Sequence, residues 1–148
     1  MDGFHLDNED LKKQDLLARK GAPETFDVAG FIAIIQLIRG GKETEFPTFD
    51  RANDCVVPNG GAVLATDETI LVEGNYLLLD HPNWVELAGL WDFSIFLDTP
   101  IHTLRCRLVD RWLCYGLDKT MAILRAKEND LPNARLVQQS KTPADLIF

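Results

Sequence analysis

The 148-residue sequence is poor in the features that mark several protein classes. Its three cysteines, Cys55, Cys106 and Cys114, include no C-x-x-C pair, which argues against a disulfide framework or a structural zinc site. No apolar run approaches the roughly 18 residues that cross a bilayer. The opening MDGFHLDNED has no basic region followed by an apolar stretch, so neither a membrane span nor a signal peptide is read. A reducing cytoplasm is the expected setting. Positive charge is scarce too: Lys+Arg number 15 against Asp+Glu 23, for a formal net charge of −8. Such a field repels phosphate backbones and anionic lipid headgroups, and no basic patch works against it. Nucleic acid and membranes are therefore not expected partners.

A hydrophobic share of 46% beside 26% charged residues is enough to build a core, and the length suits one domain. Asn8 with Glu9 and Asp10 predicts the start of a short helix, because an acceptor side chain and negative charge both satisfy free N–H groups there. Gly21 and Pro23 end it. Asp27 is the next candidate N-cap, followed by Val28, Phe31, Ile32, Ile35 and Ile38 on one helical face, with Gly40 and Gly41 as the stop. From Glu45 to Gly61 the prolines, Asn59 and paired glycines break any period, so an irregular segment is expected. Thr69 to Glu73 and Phe93 to Leu97 read as strands of a buried parallel sheet. Asp98-Thr99-Pro100 predicts a helix over 101–115, and a further helix begins near Asp118 and breaks at Asn129-Asp-Leu-Pro132. Ala144 to Phe148 reads as the start of a third strand. Strands alternating with helices indicate an α/β fold.

In such folds the ligand site lies beyond the carboxyl ends of the strands. Glu73 is either a carboxylate facing a metal–phosphate group or an exposed acid closing its strand. Asp2, His5 and Asp7 around Gly3 can supply a general base and substrate hydrogen bonds, or form a solvated tail. Phe49 with Asp50, Arg51 and Asp54 is a binding segment or a turn with a local ion pair. Arg107 and Arg111, four apart on one helical face, can present two guanidinium forks to phosphate. Alternatively they are solvated, with Asp110 as a competing partner.

Taken in order, MDGFHLDN, LLARKGAPETFDVAGF, FPTFDR with Asp54, ILVEGNYLLL, WDFSIFLDTP, RCRLVDRW and NDLPNA resemble the uridine kinase, pantothenate kinase and phosphoribulokinase family of P-loop small-molecule kinases. The likeness is greatest to its bacterial fructose-transport-system-kinase-like and pantothenate-kinase-like subgroup. The resemblance covers nearly the whole chain. It implies a partial α/β P-loop NTPase fold with a parallel sheet and flanking helices, in a single incomplete domain over 1–148. The acceptor-binding region would occupy about 1–61, and the core strands and lid helix about 62–148. It implies ATP-dependent phosphoryl transfer to a hydroxyl of a nucleoside, sugar or pantothenate-like metabolite, with Mg2+ and ATP as cofactors. Asp2 would take the acceptor's proton and approach the metal, and Glu73 would lie near the metal. His5, Asp27, Phe49 and Asp54 would border or bind the acceptor, and Arg107 and Arg111 would neutralise the transferring group.

The 148 residues contain no G-x-x-x-x-G-K-[ST], the motif whose backbone N–H groups and lysine cradle phosphates, since Gly41-Lys42 is followed by Glu43. The resemblance implies that the family's first strand, P-loop and first helix would precede Met1. A chain without them is expected to bind little ATP alone, and unpaired strand edges favour self-association. The alternative reading is an inactive kinase remnant that serves as a binding or regulatory module.

Overall fold

The structure is a computed structural model describing residues 1–148. The chain opens with a single 3-10 turn, Asp2–Phe4, then a short helix α1 (Asn8–Lys13). Two further 3-10 turns, Leu17–Arg19 and Pro23–Thr25, lead to α2 (Val28–Arg39). Asp27 caps α2 as expected, its carboxylate accepting from the Gly30 amide at 2.9 Å. The apolar face of α2 buries Val28, Phe31, Ile32 and Ile35. They meet Phe4, Phe26, Tyr76, Leu79, Trp84 and Leu87 in the main core. Each such side chain contributes about 1.5–3 kcal/mol by leaving water, so this cluster is the main apolar support of the amino-terminal half.

The segment expected to be irregular is instead an antiparallel hairpin of β1 (Thr44–Asp50) and β2 (Cys55–Val63). Its register shifts between Phe46 and Thr48, at Pro47. Proline has no N–H for the ladder, and a bulge is where a strand tolerates it. Asn59 takes a left-handed φ of 53°, and a Cβ on Gly60 would overlap the Thr48 side chain. The residues that look like breakers are those that let these strands approach and bend.

The opposite correction applies to Thr69–Glu73, which forms no strand. Backbone hydrogen bonds of a strand need a paired neighbour, and no segment of the chain pairs with this one. Leu71 is 91% exposed. The one polar tie is the Met1 ammonium, which donates to the Glu73 carbonyl at 2.8 Å. The parallel sheet reduces to one pair, β3 (Ile95–Phe96) beside β4 (Leu146–Ile147), where two of the expected strands do meet. Asp145 fixes the pair by accepting from both the amide and the hydroxyl of Ser94 at 2.7 Å.

Between β3 and β4 runs a helical arm. Helix α3 (Ile101–Cys114) stands where the Asp-Thr-Pro signal predicts it. Helix α4 (Lys119–Arg125) is capped by the Asp118 carboxylate, which accepts from the Met121 amide at 2.9 Å. The Asn129–Pro132 stretch does not break it: a π-helical turn, Ala126–Asp130, carries the chain directly into α5 (Leu131–Gln139). Pro132 lies in the first turn of α5, where a missing N–H costs nothing. A second apolar cluster of Leu108, Ala126 and Leu131 holds the arm together. No helix is long and apolar enough to cross a membrane.

Candidate functional site

The amino-terminal turn, the Leu17–Lys20 segment and the hairpin converge at one place. His5 forms an isolated antiparallel bridge with Phe26, so its backbone is fixed. Its Nδ1–H donates to the Asp2 carbonyl at 2.7 Å. Its ring packs against Phe26 at 4.1 Å and Phe49 at 4.9 Å between centroids. Burial lowers the His5 pKa below the ordinary imidazole value, although the Asp2 carbonyl and carboxylate oppose the shift. The free ring nitrogen, Nε2, is then an acceptor at neutral pH.

The Asp2 carboxylate is ion-paired with Arg51 at the hairpin turn and remains 38% exposed. That exposure leaves it reachable by a ligand. Asp50 shapes the turn: its carboxylate accepts from the Ala52 and Asn53 amides at 2.9 and 3.1 Å. Asp54 closes the turn with a left-handed φ of 51°. Burial by itself would raise the Asp54 pKa, but hydrogen bonds from Lys20 and Asn8 outweigh it and hold the carboxyl below its usual range. A cleft of about 390 Å³ opens here, with Asn8, Lys20, Phe49 and Asp54 among its walls.

A second, apolar groove of about 300 Å³ adjoins it, sharing Phe49 as a wall. Phe31, Ile35 and Val72 line its interior, and Asp2 and Glu73 both border it. Two acidic residues thus border one opening, the Asp2 carboxylate paired with Arg51 and the Glu73 carbonyl with the Met1 ammonium. No group of three or more His, Cys, Asp or Glu side chains converges in metal-holding geometry. Two acidic residues would suit only an ion such as Mg2+, which keeps several waters and takes one or two carboxylates plus phosphate oxygens, and they do not make an all-protein cage.

The structure therefore brings together Asp2, His5, Phe49 and Asp54, with Glu73 at the rim of the adjoining groove. Asp27 follows Phe26, but its carboxylate is engaged in capping α2 and borders neither opening. Arg107 and Arg111 are exposed on α3, and no hydrogen bond or ion pair joins them to Asp2, Glu73 or Asp110. Sequence reasoning passed over Asn8 and Lys20 as site residues. It placed Arg51 in a binding segment or a turn with a local ion pair, where the structure pairs it instead with Asp2 across 49 positions. Lys20 lies within the LLARKGAPETFDVAGF stretch that carries the resemblance, but as a lone cation beside Gly21 it has no periodicity to mark it as a site residue.

No protein-family model matches the chain. Individual relatives do. A candidate uridine kinase from Schizosaccharomyces pombe (strain 972) is 32% identical over 156 residues, covering 100% of this chain and 66% of that protein. The ATP-dependent kinase-like protein notR' of Aspergillus versicolor is 32% identical over 154 residues, covering 97% and 90% respectively. Among solved structures, a candidate fructose transport system kinase from Silicibacter sp. TM1040 superposes with a TM-score of 0.97 at 45% identity. That alignment covers 100% of this chain and 72% of the other. These likenesses define the class as an α/β P-loop kinase fold. The chain belongs to the family of P-loop small-molecule kinases whose members include uridine kinase-like proteins and pantothenate kinases. It spans 61% and 66% of the lengths of the first two curated relatives it matches.

Proposed function

We propose that this chain forms the acceptor-binding and lid portion of a kinase that transfers the terminal phosphoryl group of ATP to a hydroxyl of a small metabolite. The acceptor would be a nucleoside, a sugar or a pantothenate-like alcohol. The observation that carries this reading is the pair of acidic residues, Asp2 and Glu73, bordering one opening beside a cleft walled by Phe49 and Asp54. Family membership supports it.

Phosphoryl transfer depends on alignment and charge neutralisation, so the protein must hold the acceptor oxygen in line and take its proton. Asp2 is the proposed base. The acceptor oxygen forms a bond to phosphorus, the bond to the bridging oxygen of ADP breaks, and the hydroxyl proton passes to the Asp2 carboxylate. Arg51 keeps that carboxylate oriented across the hairpin turn. His5, Phe49 and Asp54 are proposed to contact the acceptor: the rings offer an apolar wall, and the Asp54 carboxylate accepts from hydroxyl groups. Asp27, which caps α2 and borders neither opening, is not among the proposed contacts. Asp2 and Glu73 would hold Mg2+, which neutralises charge on the transferring group when bound. Arg107 and Arg111 have no salt-bridge partner, so their guanidinium groups are available to the phosphoryl oxygens when the arm approaches.

The reading is tested with the longest polypeptide that the gene encodes, supplied with Mg2+, ATP and a panel of hydroxylated metabolites that includes uridine, fructose and pantothenate. ADP release dependent on one acceptor is the expected result. Acceptor-independent hydrolysis, or no ADP across the panel, would contradict it.

A further inference from the structure

We propose that Lys20 is a positioning residue of the cleft: one side chain registers the hairpin turn, the Phe49 wall and the start of α1, while its backbone ties that register to the α3–α5 arm. The inference rests on reading the cleft as the acceptor site, and it deepens that reading by identifying what holds the site in shape.

The Lys20 ammonium spends its whole donor capacity inside the protein. It donates to Asn8 Oδ1 at 2.7 Å, to Asp54 Oδ1 at 2.8 Å and to the Asp54 carbonyl at 3.3 Å. An ammonium has three donors, so none is left free for a phosphate. Its Nζ also stands 5.0 Å from the centre of the Phe49 ring, within cation–π range. Asn8 completes the arrangement by donating from Nδ2 to Asp54 Oδ2 at 2.9 Å. The Lys20 side chain is only 12% exposed. That separates it from the other ion-paired lysine of the cleft, Lys13, whose side chain is 71% exposed and whose partner, Asp10, is a near neighbour on α1. Lys20 joins segments 12 and 34 positions away. Asp54 sits in the left-handed region, which aspartate tolerates but does not prefer, so a clamp on both its carboxylate and its carbonyl stabilises the turn there.

The backbone of the same residue faces the other way. The Lys20 carbonyl accepts from Arg125 Nη2 at 3.3 Å and from Asn129 Nδ2 at 3.2 Å. The Ala18 carbonyl accepts from Arg125 Nη1 at 2.5 Å, and the Gly21 carbonyl from the Tyr76 hydroxyl at 2.6 Å. Arg125 lies over the Trp112 ring of α3 at 5.4 Å, and Trp112 follows Arg111 in the chain. Asp130 accepts from Trp112 Nε1 at 2.6 Å, which fixes that ring. A continuous set of contacts thus runs from Asp54 through Lys20 and Arg125 to the neighbour of a proposed phosphate-binding arginine.

The test uses the 148-residue chain and measures amide hydrogen exchange, with the Asp54 carboxyl titrated by NMR. Lys20→Met keeps the apolar stem and deletes the donors. Exchange at the Ala52 and Asn53 amides should rise about tenfold while α2 is unchanged, as expected for a local opening. The Asp54 pKa should rise by about 1 unit on losing its closest cation. Lys20 and His5 face that carboxyl, and Asp7, Glu9, Asp10 and Lys13 surround the same cleft. Lys20→Arg should restore much of both readouts, because a charge with several donors returns. Unchanged exchange at the turn, or an equal rise in α2, would overturn the proposal. If Lys20→Met does not fold, Asn8→Ala removes one of the three acceptors and should speed exchange at the turn alone; no change there would overturn the proposal equally. Arg125→Ala should speed exchange in residues 18–21 and at the turn, and an effect confined to α4 would refute the link to the arm. None of these readouts uses turnover, so a kinase reading that fails leaves the Lys20 result standing on its own.

Discussion

Replacing Tyr76 by Phe isolates one buried hydrogen bond beneath the candidate site. Tyr76 is 2% exposed, and its hydroxyl donates to the Gly21 carbonyl at 2.6 Å. Its ring packs on Phe26 at 5.7 Å and Trp84 at 5.3 Å between centroids, contacts that phenylalanine would keep. Burial pushes the phenol pKa upward, so the group is a neutral donor across the working pH range. The substitution therefore removes one donor and leaves the half-buried Gly21 carbonyl without it. A typical net hydrogen bond contributes about 1 kcal/mol, and an orphaned acceptor costs about 1–3 kcal/mol. The expected loss is about 1–2 kcal/mol, or a fall of about 4 °C in Tm for a chain of this size. Urea unfolding should show a lower midpoint with an unchanged slope, because the surface exposed on unfolding is the same. Tyr76→Ala should lose about 3–5 kcal/mol by adding a cavity. A Tyr76→Phe midpoint equal to the parent's, or a loss as large as that of Tyr76→Ala, would refute the reasoning.

Gly3→Ala should be poorly tolerated, since the new Cβ would overlap the Pro47 carbonyl of the hairpin. We expect a loss of about 2–3 kcal/mol by chemical denaturation. Stability should also fall on mild acidification. His5 has a folded pKa below its unfolded value, so the unfolded chain takes up a proton first as pH drops through the ordinary imidazole range. Urea midpoints should decline between about pH 7 and 5.5, and His5→Gln should flatten that limb. A limb of the same steepness in the variant would assign the effect elsewhere. In the longest polypeptide that the gene encodes, Arg107→Gln or Arg111→Gln should impair the proposed transfer more than acceptor binding. Equal losses in both would mark the arginine as structural.

Local signals made much of the scaffold legible. Asp27 and Asp118 each cap the helix that follows, because the capping bond depends only on residues three apart. The pairing of the segments around Ile95 and Leu146 agreed with their apolar character. The hairpin was missed because Pro47, Pro58 and Gly60 look like breakers to any local rule. Here a bulge absorbs one proline, and glycine gives the strands room. Thr69–Glu73 failed in the other direction. Its composition suits a buried strand, but a strand exists only with a partner, and partnership is not written in the segment itself. In the site, Asp2, His5, Phe49 and Asp54 were singled out by their chemistry and by the family pattern. Lys20 and Arg51 act through contacts 34 and 49 positions away, which spacing along the chain does not encode.

The most direct test of the central claim is the steady-state rate of the proposed phosphoryl transfer, measured on the longest polypeptide that the gene encodes, carrying Asp2→Asn. The amide keeps the size and the hydrogen-bonding oxygen of the carboxylate but cannot accept the acceptor's proton. We predict a fall in kcat of about 10²–10⁴-fold, with nucleotide affinity changed only modestly. A turnover rate equal to the parent's would remove Asp2 from the base role, and with it the reading of this cleft as the place where phosphate meets its acceptor.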